Sequence, residues 1–217
     1  MADLTIIMPA FNKEKYIAEA LDSVFSQRTG YSYEIVIADD CSTDGTLDVV
    51  ARYEKAHPGV IRVLRSDRNL KLFRNVVRAY AQVRTKYFCV LDPDDYWSDP
   101  LKLQKQVAAM RANPTAGMCF GGTDYLHQVA GCMERFRSQD MVYGEYVSGS
   151  EFASRFLFEN EGGLYGRCLH TSATLVRRRA LEMARERFPE IYRWFMRSTD
   201  YPRILGISTV AGACFLK

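Results

Sequence analysis

The sequence has no pair of closely spaced cysteines: Cys41, Cys89, Cys119, Cys132, Cys168 and Cys214 are scattered, and no C-x-x-C occurs. Zinc-ribbon and dithiol redox motifs are thereby excluded. Cysteines within apolar runs, as in Phe88-Cys89-Val90 and Met118-Cys119-Phe120, read as small reduced hydrophobes and point to the cytoplasm. No apolar run approaches the ~20 residues that a membrane-crossing helix needs. The N-terminus has neither the basic segment nor the apolar stretch of a secretory leader. Membrane contact is therefore expected to be peripheral, at the inner face. No G-x-G-x-x-G or Walker sequence occurs, which disfavours nicotinamide and P-loop enzymes. The net charge is only +3, from 29 Lys+Arg against 26 Asp+Glu. That is too mild to argue for nucleic acid, although it suits an anionic ligand. Repeats, low-complexity tracts and Pro/Gly/Ser-rich linkers are also missing, so the 217 residues read as one domain. A chain of that length buries roughly 70% of its unfolded surface.

What is present is an alternation of short apolar runs and helical patterns, the signature of a mostly parallel sheet with helices on both faces. Leu4 to Met8 reads as a strand covered on both sides, with Pro9 expected to stop it. Tyr16, Ile17, Ala20, Leu21, Val24 and Phe25 recur at helical spacing. Glu34–Ala38, Val60–Leu64 and Tyr87–Leu91 read as further strands. Helices are expected through Leu47–Tyr53, Phe73–Tyr80 and, after Pro100, Leu101–Val107. Ala116–Phe120 reads as a strand, and the pattern then weakens from Gly121 to Gly149. Helix, strand, helix and helix follow at Glu151–Phe158, Ala173–Val176, Arg178–Arg187 and Tyr201–Val210. His57 and His127 read as surface residues, and the run Arg177-Arg178-Arg179 as a solvated face rather than a lipid-phosphate patch.

Three strands end in polar segments: Pro9 to Asn12, Asp39-Asp40 and Asp92-Pro93-Asp94-Asp95. In open α/β sheets, ligands bind at the carboxyl ends of the strands. Three carboxylates in four residues after a buried strand repel one another unless something offsets them. Mg²⁺ or Mn²⁺, shared with a diphosphate, suits such a cluster. The bland alternative is a solvated acidic turn capping the helix after Pro100. A carboxylate of Asp39 or Asp40 could accept hydrogen bonds from a base N–H or ribose hydroxyls. Asp44 reads as a helix-start residue.

The order of these segments resembles the family 2 (GT-A fold) inverting glycosyltransferases. Ile6-Ile7-Met8-Pro9-Ala10-Phe11-Asn12 is similar to their opening strand and P-x-Y-N turn, and Asp39 to Thr46 to their D-D-x-S-x-D-G-T. Arg74-Asn75 resembles their R-N pair, and Leu91 to Trp97 their L-D-x-D-D-x-W. The resemblance implies a GT-A type, Rossmann-like, mostly parallel sheet flanked by helices. Residues 1–112 would form the nucleotide-sugar half, and residues 113–217 the acceptor half. Pro9, Ala10, Phe11 and Asn12, with Asp39 and Asp40, would cradle base and ribose. Arg74 would lie near the diphosphate, the surface-cation reading staying open. Asp92 and Asp94 would serve the donor, and Asp95 with Asp94 the metal. His170, in Leu169–Thr174, would meet acceptor or diphosphate unless it is a structural histidine. Asp200 would be the general base, although a helix-capping role explains the same residue. The implied partners are a nucleotide-sugar, UDP-linked by preference, and a glycan or lipid-linked acceptor of cell-envelope or capsule polysaccharide.

The pattern departs from the family at three places. Phe11 replaces tyrosine, Arg187-Phe188-Pro189-Glu190 stands where G-G-F-D is usual, and Thr199 replaces the acidic or glycine partner of Asp200. The chain stops in an apparent strand at Ala213–Lys217, so a truncated C-terminal part is expected. A sugar-nucleotide-forming nucleotidyltransferase is the rival enzyme, disfavoured because no Gly-rich basic segment follows the first strand. A non-catalytic nucleotide-sugar binder is the rival outside catalysis. Donor sugar, acceptor and oligomeric state are not fixed by the sequence.

Overall fold

The structure is a computed structural model that describes residues 2–127, 132–136, 146–158, 170–190 and 200–216. Its first half alternates strictly: β1 (Leu4–Ala10), α1 (Ile17–Phe25), β2 (Tyr33–Asp39), α2 (Thr46–Ala56), β3 (Ile61–Arg65), α3 (Lys71–Tyr80), β4 (Tyr87–Val90) and α4 (Lys102–Ala112). The second half adds β5 (Ala116–Phe120), a hairpin of β6 (Thr123–His127) and β7 (Cys132–Phe136), β8 (Tyr146–Val147) and α5 (Gly149–Phe158). A 3₁₀ turn (Thr171–Ala173), β9 (Thr174–Arg177), α6 (Arg178–Arg187), α7 (Asp200–Ser208) and β10 (Gly212–Phe215) complete the described chain.

Among the described residues eight strands form one sheet in the order β3-β2-β1-β4-β9-β5-β10-β8, and β6 and β7 form a separate pair. The parallel character belongs to β3-β2-β1-β4, where helical crossovers join the strands. β9 enters antiparallel between β4 and β5, while β10 runs parallel to β5. The sheet is therefore parallel at the site-bearing half and mixed beyond it.

Period-two alternation divides the core between the two faces. Leu4, Ile6, Met8 and Ala10 pack with Ile17, Leu21, Val50 and Leu103 of α1, α2 and α4. Ile7, Phe88 and Val90 pack with Ala79, Phe152, Ala180 and Ile204 of α3, α5, α6 and α7. Helices on both sides explain the continuous apolar runs.

Pro9 does not stop β1. The strand continues through Pro9 and Ala10, in register with Ala38 and Asp39 of β2. Ile7 faces β4, since its carbonyl accepts from Leu91 N at 2.9 Å. Pro9 has the same parity, so its missing N–H falls where β4 has already ended, and no ladder bond is lost there.

The weakly patterned stretch contains the separate hairpin and the two-residue edge strand β8, neither of which carries a readable period. Arg177 is also not a solvated cation. Its guanidinium donates to the carbonyls of Ala116 and Met110, both at 2.7 Å, tying β9 to the end of α4. Arg178 pairs with Glu182, and Arg179 stands exposed near Glu182 and Glu186, so only Arg177 departs from the solvated face expected of the run. Behind β5, α7 approaches closely: a Cβ on Gly117 would stand 2.6 Å from Ile207 Cγ2 and 2.7 Å from Ala211 Cβ. Buried Arg203, one turn before Ile207, also anchors α7 by donating to Tyr80 Oη at 2.9 Å.

Candidate functional site

The carboxyl ends of β1, β2 and β4 lie side by side, which brings three of the expected segments together. Asp40 N donates to Ala10 O at 2.8 Å, closing the β1 and β2 ends onto each other. Asn12, at φ 51°, donates its N–H to Ser42 Oγ at 3.1 Å, and its Oδ1 accepts from Thr43 N at 2.8 Å. Phe11 stands exposed at the rim.

Asp39 and Asp40 are both buried but are used differently. Asp39 turns its carboxylate to Ser42 N, 3.3 Å from each oxygen, and so holds its own loop. Asp40 Oδ1 accepts from Leu70 N at 2.7 Å and leaves Oδ2 without a hydrogen bond among the described residues. Asp44 accepts from Thr46 N and Glu14 N, as a helix-start residue should.

Beside Leu70 is an open depression lined by Arg68, Asn69, Leu70, Lys71, Phe73 and Arg74. Arg74 is exposed on α3, and Arg68, Lys71 and Arg74 make no ion pair among the described residues. Three unneutralised cations around a hollow next to a buried carboxylate suit a polyanion that also offers hydrogen-bond donors. Arg68 and Lys71 belong to no sequence motif, and only their place at the entrance to α3 reveals them. The neighbouring Asn75, also in the R-N pair, is buried and donates to Ala38 O at 2.6 Å, so it is a structural tie.

The acidic segment is split by its partners. Asp94 meets Lys13 Nζ at 2.6 Å. Asp95 Oδ2 accepts from Ser172 Oγ at 2.5 Å and lies 3.6 Å from His170 Nδ1. Ser172 Oγ also accepts from Asp92 N at 3.1 Å, and Asp95 N donates to Asp92 O at 2.8 Å. Trp97 is buried below and donates Nε1 to Ser172 O at 2.7 Å. Lys13 and Ser172 were not singled out in the sequence. Lys13 follows the P-A-F-N turn, and Ser172 sits two residues after His170, but nothing local marks either as a carboxylate partner.

Asp95 Oδ1 carries no hydrogen bond among the described residues, and His170 presents an imidazole nearby. Hard carboxylate oxygens with one imidazole suit Mn²⁺ or Mg²⁺. No group of three or more His, Cys, Asp or Glu with metal-holding geometry occurs among the described residues. The donor set thus fits an ion held by one or two side chains and completed by phosphate oxygens and water. Asp200 opens α7, but its side chain lies outside the described structure, so its distance to the acidic segment is not part of this geometry.

The family profile described as Glycosyl transferase family 2 matches residues 5–183. The chain belongs to glycosyl transferase family 2. An uncharacterized protein of Mycobacterium tuberculosis, Rv1520, is 37% identical over 117 residues, covering 54% of this chain and 34% of that protein. The poly(ribitol-phosphate) β-N-acetylglucosaminyltransferase TarS of Staphylococcus aureus is 36% identical over 98 residues, 44% of this chain and 17% of TarS. The chain therefore spans about a third or less of these curated relatives. Among solved structures, residues 1–349 of S. aureus TarS with UDP-GlcNAc superpose with a TM-score of 0.71 at 21% identity, covering 98% of this chain and 55% of that one. The mannosyltransferase PcManGT from Pyrobaculum calidifontis, with GDP-Man and Mn²⁺, gives 0.66 at 20% identity over 99% of this chain and 55% of that one. At these identities the structures establish the fold, which is GT-A. Among the described residues no helix is long and apolar enough to cross a membrane.

Proposed function

We propose that this family 2 chain transfers a sugar, with inversion, from a nucleoside-diphosphate sugar to an acceptor hydroxyl. UDP is the preferred nucleotide. Cell-envelope or capsule polysaccharide is the proposed setting, in keeping with the wall-polymer substrate named for TarS. The carrying observation is that Asp40, after β2, and Asp94 and Asp95, after β4, stand at the strand ends on either side of β1, with the cation-lined hollow of Arg68, Lys71 and Arg74 next to Leu70, the partner of Asp40.

In this reading residues 1–112 hold the donor and residues 113–217 the acceptor. Asp40 Oδ2, Pro9, Ala10, Phe11 and Asn12 receive base and ribose, with Asp39 keeping the loop in shape. Arg74 attracts the diphosphate. Asp95 and Asp94 are the residues to hold Mn²⁺ or Mg²⁺, with Asp92 shaping the turn. A bound ion supplies Lewis-acid stabilisation of the negative charge that develops on the departing diphosphate. His170, beside Asp95, orients the diphosphate or the acceptor. Asp200 takes the proton from the attacking hydroxyl, which is a weak nucleophile at neutral pH.

A thermal-shift screen of nucleoside diphosphates and their sugars, with and without Mn²⁺, tests the donor half. A ligand that binds only the native state raises Tm by mass action, so UDP with Mn²⁺ should raise it most. Asp200→Asn should keep that shift while transfer falls by roughly 10²–10⁴-fold. Equal transfer by Asp200→Asn and wild type would remove the base assignment.

A further inference from the structure

Beneath the acidic strand end lies a buried polar cluster that makes no direct contact with the open carboxylate oxygens. Lys102, the first residue of α4, is only 8% exposed. Its ammonium sits 4.2 Å from the centre of the Trp97 ring and donates to Gln106 Oε1 at 2.8 Å. No carboxylate pairs with it among the described residues, since Asp99 binds Lys105 instead. Burying an ammonium among neutral groups is costly, and here burial pulls its pKa down against the opposing pull of Cys89, Cys119 and Asp99. A methionine would fill the same space more cheaply. The cation therefore asks for a use beyond packing.

That use is visible in what it orients. A lysine has only donors, so its bond to Oε1 fixes which way the fully buried Gln106 amide faces. Nε2 is thereby directed at two carbonyls, Ala173 O at 2.8 Å and Cys119 O at 3.0 Å. Trp97, under the same ammonium, donates Nε1 to Ser172 O at 2.7 Å. Two consecutive carbonyls of the 3₁₀ turn are thus tied from below by groups that Lys102 holds. On its upper side the same Ser172 turns its hydroxyl to Asp95 at 2.5 Å and receives Asp92 N at 3.1 Å.

We propose that Lys102 is a positioning residue: through Gln106 and Trp97 it fixes the Thr171–Ala173 turn, and with it the direction in which Asp95 offers its carboxylate to a divalent cation and diphosphate. The proposal rests on the nucleotide-sugar reading above for its ligand, but not for the placement itself. Outer partners of this kind commonly change metal affinity by about 10–100-fold when removed.

The test compares wild type with Lys102→Met and with Gln106→Glu, which keeps the lysine's acceptor but removes the amide donor to Ala173 O of the turn and to Cys119 O of β5. UDP is titrated by calorimetry with and without Mn²⁺, and hydrogen exchange is followed in the unliganded proteins. In both variants Mn²⁺-dependent UDP binding should weaken about tenfold while metal-free UDP binding stays unchanged. Exchange should quicken about tenfold in segments 92–97 and 170–174, while β1 and β2 keep their protection. Unchanged exchange in those segments, or an equal rise across β1 and β2, overturns the proposal by leaving only a packing role. If wild type binds no UDP under any condition, the functional reading falls, and exchange alone still decides the placement. Should Lys102→Met not fold, Gln106→Glu carries the same two readouts.

Discussion

Lys13 Nζ lies 2.6 Å from Asp94 Oδ2, an ion pair that joins the loop after β1 to the loop after β4. The two side chains are 26% and 50% exposed, so solvent screens the pair and it adds no more than about 1 kcal/mol to stability. Its consequence is competitive. Lys13 holds a carboxylate that the proposed function gives to a divalent ion, so Lys13→Met should bind Mn²⁺ several-fold more tightly in the absence of nucleotide. Titration of free Mn²⁺ by electron paramagnetic resonance reads this directly, and weaker binding by the variant would refute the competition.

Cys41 offers a probe of the loop proposed to hold the nucleotide. It lies between Asp40 and Ser42 with φ 67° and is half-buried. Cys89, Cys119 and Cys214 are buried, and burial pushes their thiols up to about 11, about 12 and about 11. They hold almost no thiolate at pH 8. Iodoacetamide on the native protein should therefore modify Cys41 while sparing those three, and UDP with Mn²⁺ should slow its modification. Peptide mapping by mass spectrometry resolves the sites. Modification of Cys41 at the same rate with saturating ligand would place the nucleotide elsewhere.

The same three thiols set an alkaline limit. In the folded state they keep protons that the unfolded chain releases above its ordinary thiol value of 9.0, so N binds more protons than U between about pH 9 and 11. Stability from this source is fully present below pH 9 and falls as pH rises through the folded values. Denaturant melts at pH 8, 9 and 10 should show that decline, and Cys119→Ala should show a shallower one. Equal slopes for both proteins would contradict the assignment.

The parts of the fold that sequence reveals are those governed by local periodicity. Strands β1, β2 and β4 are buried on both faces, so their apolar runs are unbroken and their polar ends stand out. Whether Pro9 ends a strand depends on how far β4 extends beside it, which is information 80 residues away. Arg177 looked solvated because its neighbours are arginines, yet its partners are carbonyls of α4 and β5. The same holds at the site. Asp40, Asp94 and Asp95 were legible as carboxylates at strand ends. Their partners Leu70, Lys13 and Ser172, at separations of 30, 81 and 77 residues, were not. Asp200 is legible only through the order of motifs, because a carboxylate heading a helix is explained equally well as a cap.

The central claim, that Asp95 serves metal-dependent sugar transfer, is tested most directly by UDP release from a panel of UDP-sugars with Mn²⁺. Wild type should release UDP from at least one sugar only when the metal is present, and Asp95→Ala should lose about a hundredfold or more of that rate while still folding. Equal, metal-independent release by wild type and Asp95→Ala would contradict the account.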